Sequence, residues 1–238
     1  MHPRHRLAIT MLYRGTIPSM VWAEDAIRRF GCRIMVSHLF LLVLDPAMAY
    51  DYLLASGKYI ESHTSICYDV DELLGDAPRL LPVEGDHHPV ALLRASDWMM
   101  ISPLALAPDP QFPSLDVLLS SLLATWLQRP YTSSAFCLRL AAWIVSIYEA
   151  RGDDALNPAI ESNARHYLAL CRAIPPRLRQ LHVDLVFGRV FFMAVSAHAY
   201  YTAIAKEVDF RLASSRQSDL PDIPSPSVEE IGRGKIPW

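Results

Sequence analysis

Residues 133–151 read SSAFCLRLAAWIVSIYEAR and give the strongest indication of fold class in this chain. Apolar residues recur in this stretch at steps of three and four, at Phe136, Leu140, Trp143, Ile144 and Ile147. Side chains with this spacing share one face of an α-helix. Because Gly152 follows and can end a helix, the stretch predicts an amphipathic helix packed on a core.

The segments on either side extend this prediction through the C-terminal half. Residues 114–128 form a second apolar run that stops before Pro130, and residues 157–174 a third that stops at a Pro-Pro pair. The last helix is predicted over residues 177–212, bent near Gly188. It is apolar nearly all round over residues 190–204, which is typical of a central helix surrounded by others.

The N-terminal half carries one clear pair of helix-end signals. Asp45 and Pro46 suit the cap and first position of a helix, and Gly57 suits the left-handed position that follows one. Residues 19–30 are also predicted to be helical, with Gly31 at the end. The short apolar runs at 7–13, 33–44, 90–93 and 98–101 leave strands open.

These signals together predict a mainly α, bundle-like domain with room for a small β element in the N-terminal half. The globular domain is expected over residues 1–213, with a sub-boundary in the Pro-rich segment 102–113. Residues 214–238 are rich in Pro and Ser and predict a flexible tail.

Composition narrows the classes of function. Hydrophobic residues make up 52% of the chain and charged residues 20%, so a globular core is expected. The net charge is −3, so the protein has no broad positive potential of the kind that nucleic-acid-binding proteins usually have. The four cysteines lie far apart and no Gly-rich phosphate loop is present, so neither a metal site nor a cofactor is predicted. The absence of an export signal predicts a reducing, cytoplasmic location.

The candidate pocket residues lie on the last predicted helix. His182 and Arg189 are seven residues apart and share a face, and His198 and Tyr201 follow at helical spacing. Polar groups on an apolar helix either find partners in the core or line a pocket. A weaker candidate is the segment containing Glu84, Asp86, His87 and His88, where a metal site competes with a solvated turn.

The candidates for binding a partner come from the same helix and the tail. Phe191 and Phe192 lie in the apolar helix, and core packing is the alternative for both. Pro221 and Pro224 have the minimal spacing of a polyproline ligand, and the Trp238 indole could dock on a protein surface.

The preferred hypothesis is a non-catalytic interaction protein that binds a protein partner, or a second copy of itself, through an apolar helical surface. A bacterial effector, an immunity-type inhibitor and a viral accessory protein all fit this description. The first alternative is a small helical enzyme whose pocket uses dispersed His, Arg and carboxylate groups. The second, less favoured alternative is a membrane-associated protein anchored by residues 185–206.

Overall fold

The computed structural model describes residues 6–62, 77–84, 88–98, 101, 112–128, 135–149, 169–186, 189 and 195–215. Within these ranges five strands form one sheet: β1 (Ser19–Trp22), β2 (Leu39–Val43), β3 (Tyr59–Glu61), β4 (Arg79–Pro82) and β5 (Val90–Arg94). The described helices are α1 (Arg6–Arg14), α2 (Ala23–Arg29), α3 (Pro46–Ala55), α4 (Leu115–Gln128), α5 (Ala135–Glu149), α6 (Pro176–Val186) and α7 (Val195–Ser215).

The sheet is mixed, with strand order β1-β2-β5-β4-β3. Its central pair, β2 and β5, is parallel, with Leu41 opposite Leu92. The pairs β1–β2, β5–β4 and β4–β3 are antiparallel. Every residue of β2 is buried, which is typical of a strand covered on both faces.

The two faces of the sheet carry two separate apolar cores. Leu39, Leu41 and Val43 of β2 belong to a core that includes α1 and α3. Phe40 and Leu42 point the other way, into a larger core built with α2, α4, α5, α6 and α7. This alternation follows from the two-residue period of a strand and gives three layers, with helices on both sides of the sheet.

The predicted mainly α, bundle-like domain is therefore wrong, because a five-stranded mixed sheet divides the described helices into two layers. The central strands are runs of Leu, Val, Phe and Ala, buried on both faces, and such runs lack the alternation that identifies a strand. Of the four runs left open, residues 90–93 are a strand, residues 7–13 are helical, and β2 occupies the end of 33–44. The fourth, 98–101, lies partly outside the described residues.

The local signals of α3 are confirmed. The Asp45 carboxylate accepts hydrogen bonds from the backbone N–H of Ala47 and Met48 at 3.0 and 3.1 Å. Pro46 is the first helical residue, and Gly57 has a φ of +69° just beyond the end. The predicted helix over 19–30 is wrong in its first part, where β1 precedes α2, and right at Gly31, whose φ is +93°.

Two of the predicted C-terminal helices are confirmed, the last is wrong, and most of the helix predicted over 157–174 lies outside the described residues. Helices α4 and α5 lie where residues 114–128 and 133–151 predicted them. The single bent helix over 177–212 is wrong, because α6 ends at Val186 and Arg189 is not helical. Helix α7 is not surrounded either, since Ala199, Tyr200 and Ala203 are exposed and only one of its faces is buried.

No described helix is both long enough and apolar enough to cross a bilayer. The described residues of the membrane anchor predicted at 185–206 were included in this finding, and residues 187–188 and 190–194 lie outside it. The division into a domain over 1–213 and a tail over 214–238 stays a prediction, because residues beyond 215 lie outside the described ranges.

Candidate functional site

A carboxylate at the centre of the helical half joins α6 to α7. The Tyr201 hydroxyl donates a hydrogen bond to Oδ2 of Asp184 at 2.9 Å, and Nε2 of Gln180 donates to the same oxygen at 2.9 Å. Nη1 of Arg189 lies 3.9 Å from the other oxygen. Burial and, next, the hydrogen bond to Asp184 raise the pKa of Tyr201 above its usual value, so the phenol stays protonated. Two predicted pocket residues, Arg189 and Tyr201, thus meet at Asp184.

His182 belongs to a different part of the core. It is fully buried on α6, and its Nδ1 is hydrogen-bonded to the Tyr148 hydroxyl of α5. The two rings also contact each other, with their centroids 5.7 Å apart. A buried imidazole with such a partner is typical of a core histidine, which was the alternative considered for this residue.

His198 has one side in the core and one side on a cleft. Its Nε2 lies 3.0 Å from the backbone oxygen of Trp126. Since a carbonyl can only accept, Nε2 carries the hydrogen of this bond. The imidazole also contacts the Trp126 indole edge to face, at 4.8 Å between centroids. These contacts fix the ring where α7 crosses α4.

The cleft next to His198 lies between α4, α6 and α7 and has a volume of about 430 Å³. Its lining residues are Ala124, Leu127, Gln128, Arg177, Leu178, His198, Thr202, Ala205, Lys206 and Asp209. The apolar lining residues are buried, Lys206 and Asp209 are exposed, and Arg177 is half-buried. Nη1 of Arg177 lies 3.6 Å from Oδ2 of Asp209 across the cleft.

Only one of the four predicted pocket residues, His198, lines this cleft. The sequence analysis did not single out Arg177, Lys206 or Asp209. One signal could have found Lys206: His198, Thr202 and Lys206 are spaced by four residues and so share one face of α7. Arg177 is on α6 and comes close to that face of α7 only because the two helices pack together. No local sequence pattern predicts this packing.

The weaker candidates are divided between exposed residues and residues outside the described ranges. Glu84 and His88 are exposed, and Nδ1 of His88 lies 3.4 Å from the backbone oxygen of Ser37. Asp86 and His87 lie outside the described residues. Among the residues that the structure describes, no three His, Cys, Asp or Glu side chains are grouped as metal ligands.

The predicted partner-binding residues lie outside the described ranges; they are Phe191, Phe192, Pro221, Pro224 and Trp238. Three of the four cysteines are described. No disulfide joins any two of Cys32, Cys137 and Cys171, and burial raises the pKa of Cys171.

A second buried polar cluster lies where β1 passes into α2. Ala23 turns the chain there with a φ of +47°, and Glu24 follows it into the core with no exposed surface. The Glu24 carboxylate accepts hydrogen bonds from the Ser37 N–H and hydroxyl and from the His38 N–H. Nη1 of Arg139, on α5, lies 3.7 Å away. Burial raises the pKa of Glu24, although these hydrogen bonds and Arg139 oppose the rise.

No protein-family model matches this chain, and no curated protein or solved structure is similar to it. The case for a function therefore depends on the geometry of the cleft and of the exposed surfaces.

Proposed function

We propose that this protein is a binding protein that holds a small organic molecule in the cleft between α4, α6 and α7. The observation that supports the proposal is the composition of the cleft wall. Leu127, Leu178 and Ala205 give a buried apolar floor, while Arg177, Lys206 and Asp209 add charged groups to the lining. Ligand pockets are typically apolar cavities of about 300–1,000 Å³ with a few convergent polar groups, and the 430 Å³ of this cleft falls in that range.

The cleft contains the kinds of side chain that the sequence predicted for a pocket, but only His198 is one of the predicted residues. A pocket of His, Arg and carboxylate groups was the hypothesis, with His182, Arg189, His198 and Tyr201 as its candidates and the carboxylates not assigned to positions. The cleft has the same three kinds of group at His198, Arg177 and Asp209. Helices α4, α6 and α7 all contact one another, so a bound molecule would touch three elements at once.

The test fills the cleft with a side chain. Ala205 lines the cleft, and Ala203, two residues away on the same helix, is exposed. We expect Ala205→Trp to abolish binding of the uncharged fluorescent probe 1-anilinonaphthalene, and the matched control Ala203→Trp to bind it like the wild type. Circular dichroism and thermal unfolding would show that both variants fold. If Ala205→Trp does not fold, Gln128→Trp closes the cleft from its exposed end. Equal binding by the wild type and a folded cleft-filling variant would refute the proposal.

A second candidate function is association through the exposed face of α7. Tyr200 and Phe210 are 49% and 69% exposed, and Ala199 and Ala203 lie beside them on the same side of the helix. Exposed aromatic residues are enriched in the centres of protein interfaces. If this face binds a second copy of the chain, Phe210→Asp should lower the mass measured by light scattering without changing the fold. A wild-type monomer at all concentrations would contradict this candidate.

A further inference from the structure

The charges around the cleft are unequal. Among the described residues that line it, Lys206 and Arg177 are cationic and Asp209 is the one carboxylate. The Arg177–Asp209 pair, at 3.6 Å, balances one cation. In the described part of the chain no carboxylate lies within ion-pairing distance of Lys206. The lining therefore has a net positive charge in a protein whose net charge is −3.

The backbone adds to this positive potential. Arg177 and Leu178 belong to the first turn of α6, where the helix dipole leaves a partial positive charge. Pro176 has no N–H and the Leu178 N–H donates to the oxygen of Pro175 at 2.9 Å, so this backbone contribution comes from the dipole and the Arg177 N–H. Arg177 and Leu178 both line the cleft. The part of the cleft that contains Arg177 thus combines a guanidinium group with a helix N-terminus.

The interior offers one hydroxyl group for recognition. Oγ1 of Thr202 is buried and has no hydrogen-bond partner among the described residues. His198, one turn before it on α7, is held through Nε2 by the Trp126 carbonyl. A buried hydroxyl without a hydrogen-bond partner is energetically unfavourable. Rotation of the Thr202 side chain would turn this hydroxyl toward a polar atom of a ligand in the cleft.

We propose that the ligand is an organic anion with an apolar body, such as an aromatic or aliphatic carboxylate. This inference rests on the proposed binding function. The anionic group lies between Lys206 and Arg177 and competes with Asp209 for the guanidinium. The apolar body covers Ala124, Leu127 and Leu178. A neutral ligand would use the floor alone, and a cation would be repelled by Lys206.

The test compares two probes that share one aromatic body. 8-Anilinonaphthalene-1-sulfonate carries a negative charge, and 1-anilinonaphthalene carries none. Since an exposed ion pair contributes about 0.2–1 kcal/mol, two cations should make the sulfonate bind about tenfold more tightly than the neutral probe. Lys206→Met keeps most of the side chain and removes the charge. It should weaken sulfonate binding by about threefold to fivefold and leave the neutral probe unchanged.

Two further variants should affect sulfonate binding differently from Lys206→Met. Asp209→Asn removes the competing carboxylate and should strengthen sulfonate binding about threefold. Lys58→Met removes a lysine that lies outside the cleft lining and should change nothing. Two results would overturn the anion inference: equal affinity for the two probes, or equal loss of sulfonate binding in Lys206→Met and Lys58→Met. Binding of the neutral probe that Ala205→Trp abolishes would still support the cleft, so the two proposals fail separately.

Discussion

Thr16 ends α1 in a backbone conformation that disfavours a side chain. Its φ is +53°, in the left-handed region. The Thr16 N–H donates to the oxygen of Tyr13 at 3.0 Å, and the Ile17 N–H to the oxygen of Leu12 at 2.9 Å. These two hydrogen bonds close the C-terminus of α1. Thr16, two residues beyond Arg14, takes the left-handed position that glycine usually occupies there. A residue with a Cβ is disfavoured there by roughly 1–2 kcal/mol.

Replacing Thr16 by glycine should therefore stabilise the protein. Thr16 is exposed, so no core contact is lost. After allowing for the greater freedom of glycine in the unfolded chain, Thr16→Gly should raise the free energy of unfolding by about 0.5–1 kcal/mol. Thr16→Ala removes the same hydroxyl and keeps the Cβ, so it should give no gain. Urea unfolding of both variants is the measurement, and equal stability of the two would contradict the explanation.

For single residues, the sequence predicts those conformations that depend only on residues nearby in the chain. Asp45, Pro46 and Gly57 act on backbone groups within four residues of themselves, and the structure confirms all three. The left-handed Thr16 has no such pattern, because only the hydrogen bonds of the finished turn hold it there. The role of Glu24 could not be predicted from its neighbours, since its partner Arg139 lies in a distant segment.

Helices α6 and α7 are cross-linked by one hydrogen bond to a buried carboxylate. Tyr201 is 6% exposed and Asp184 is 7% exposed, and the phenol donates directly to the carboxylate. A hydrogen bond to a charged group contributes more than one between neutral groups. The adjacent Tyr200 is half-exposed, and among the described residues its hydroxyl has no hydrogen bond.

Tyr201→Phe should lower the free energy of unfolding by about 1.5–3 kcal/mol, because Asp184 loses a donor that water cannot readily replace. Tyr200→Phe makes the same change on the exposed side of the helix and should stay within about 0.5 kcal/mol of the wild type. Chemical unfolding of the two variants measures the difference. Equal effects would show that the Asp184 link does not stabilise the α6–α7 packing.

Some helices could be predicted from the sequence, whereas the central strands could not. Helices α3, α4 and α5 combine helical periodicity or caps within their own residues, and each was found. The strands β2 and β5 are buried on both faces, so neither polar alternation nor a turn residue marks them. The break at Arg189 was missed because residues 177–212 contain no proline, and a glycine inside a helix is tolerated.

The whole molecule depends on pairings between distant segments. The parallel contact of β2 with β5 joins residues about fifty positions apart, and the cleft needs α4, α6 and α7 together. His198 could be chosen from the sequence because it is polar on an apolar helix. Arg177 and Asp209 could not, because charged residues on a helix are ordinary surface features until another helix packs against them.

Glu24 connects the sheet to the helical layer. Its carboxylate holds the backbone of Ser37 and His38 at the start of β2 and faces Arg139 of α5. Burial raises its pKa above 4.5, which means that the folded state retains a proton that the unfolded chain has already released. Between the two pKa values the folded protein binds more protons, so its stability falls as the pH rises through this window.

Glu24→Gln should remove this pH dependence. The amide keeps a carbonyl oxygen for the Ser37 N–H and cannot ionise, so nothing titrates at this position in either state. Wild-type stability should fall by up to about 1.4 kcal/mol for each pH unit between 4.5 and the folded pKa, and then stay constant with respect to this group. The exposed Glu207 provides the control, since Glu207→Gln should retain the wild-type slope. Urea unfolding at intervals from pH 4.5 to 8 gives the three curves. If Glu24→Gln keeps the slope of the wild type, another buried group carries the proton and the carboxylate at the β1–α2 junction is ionised throughout.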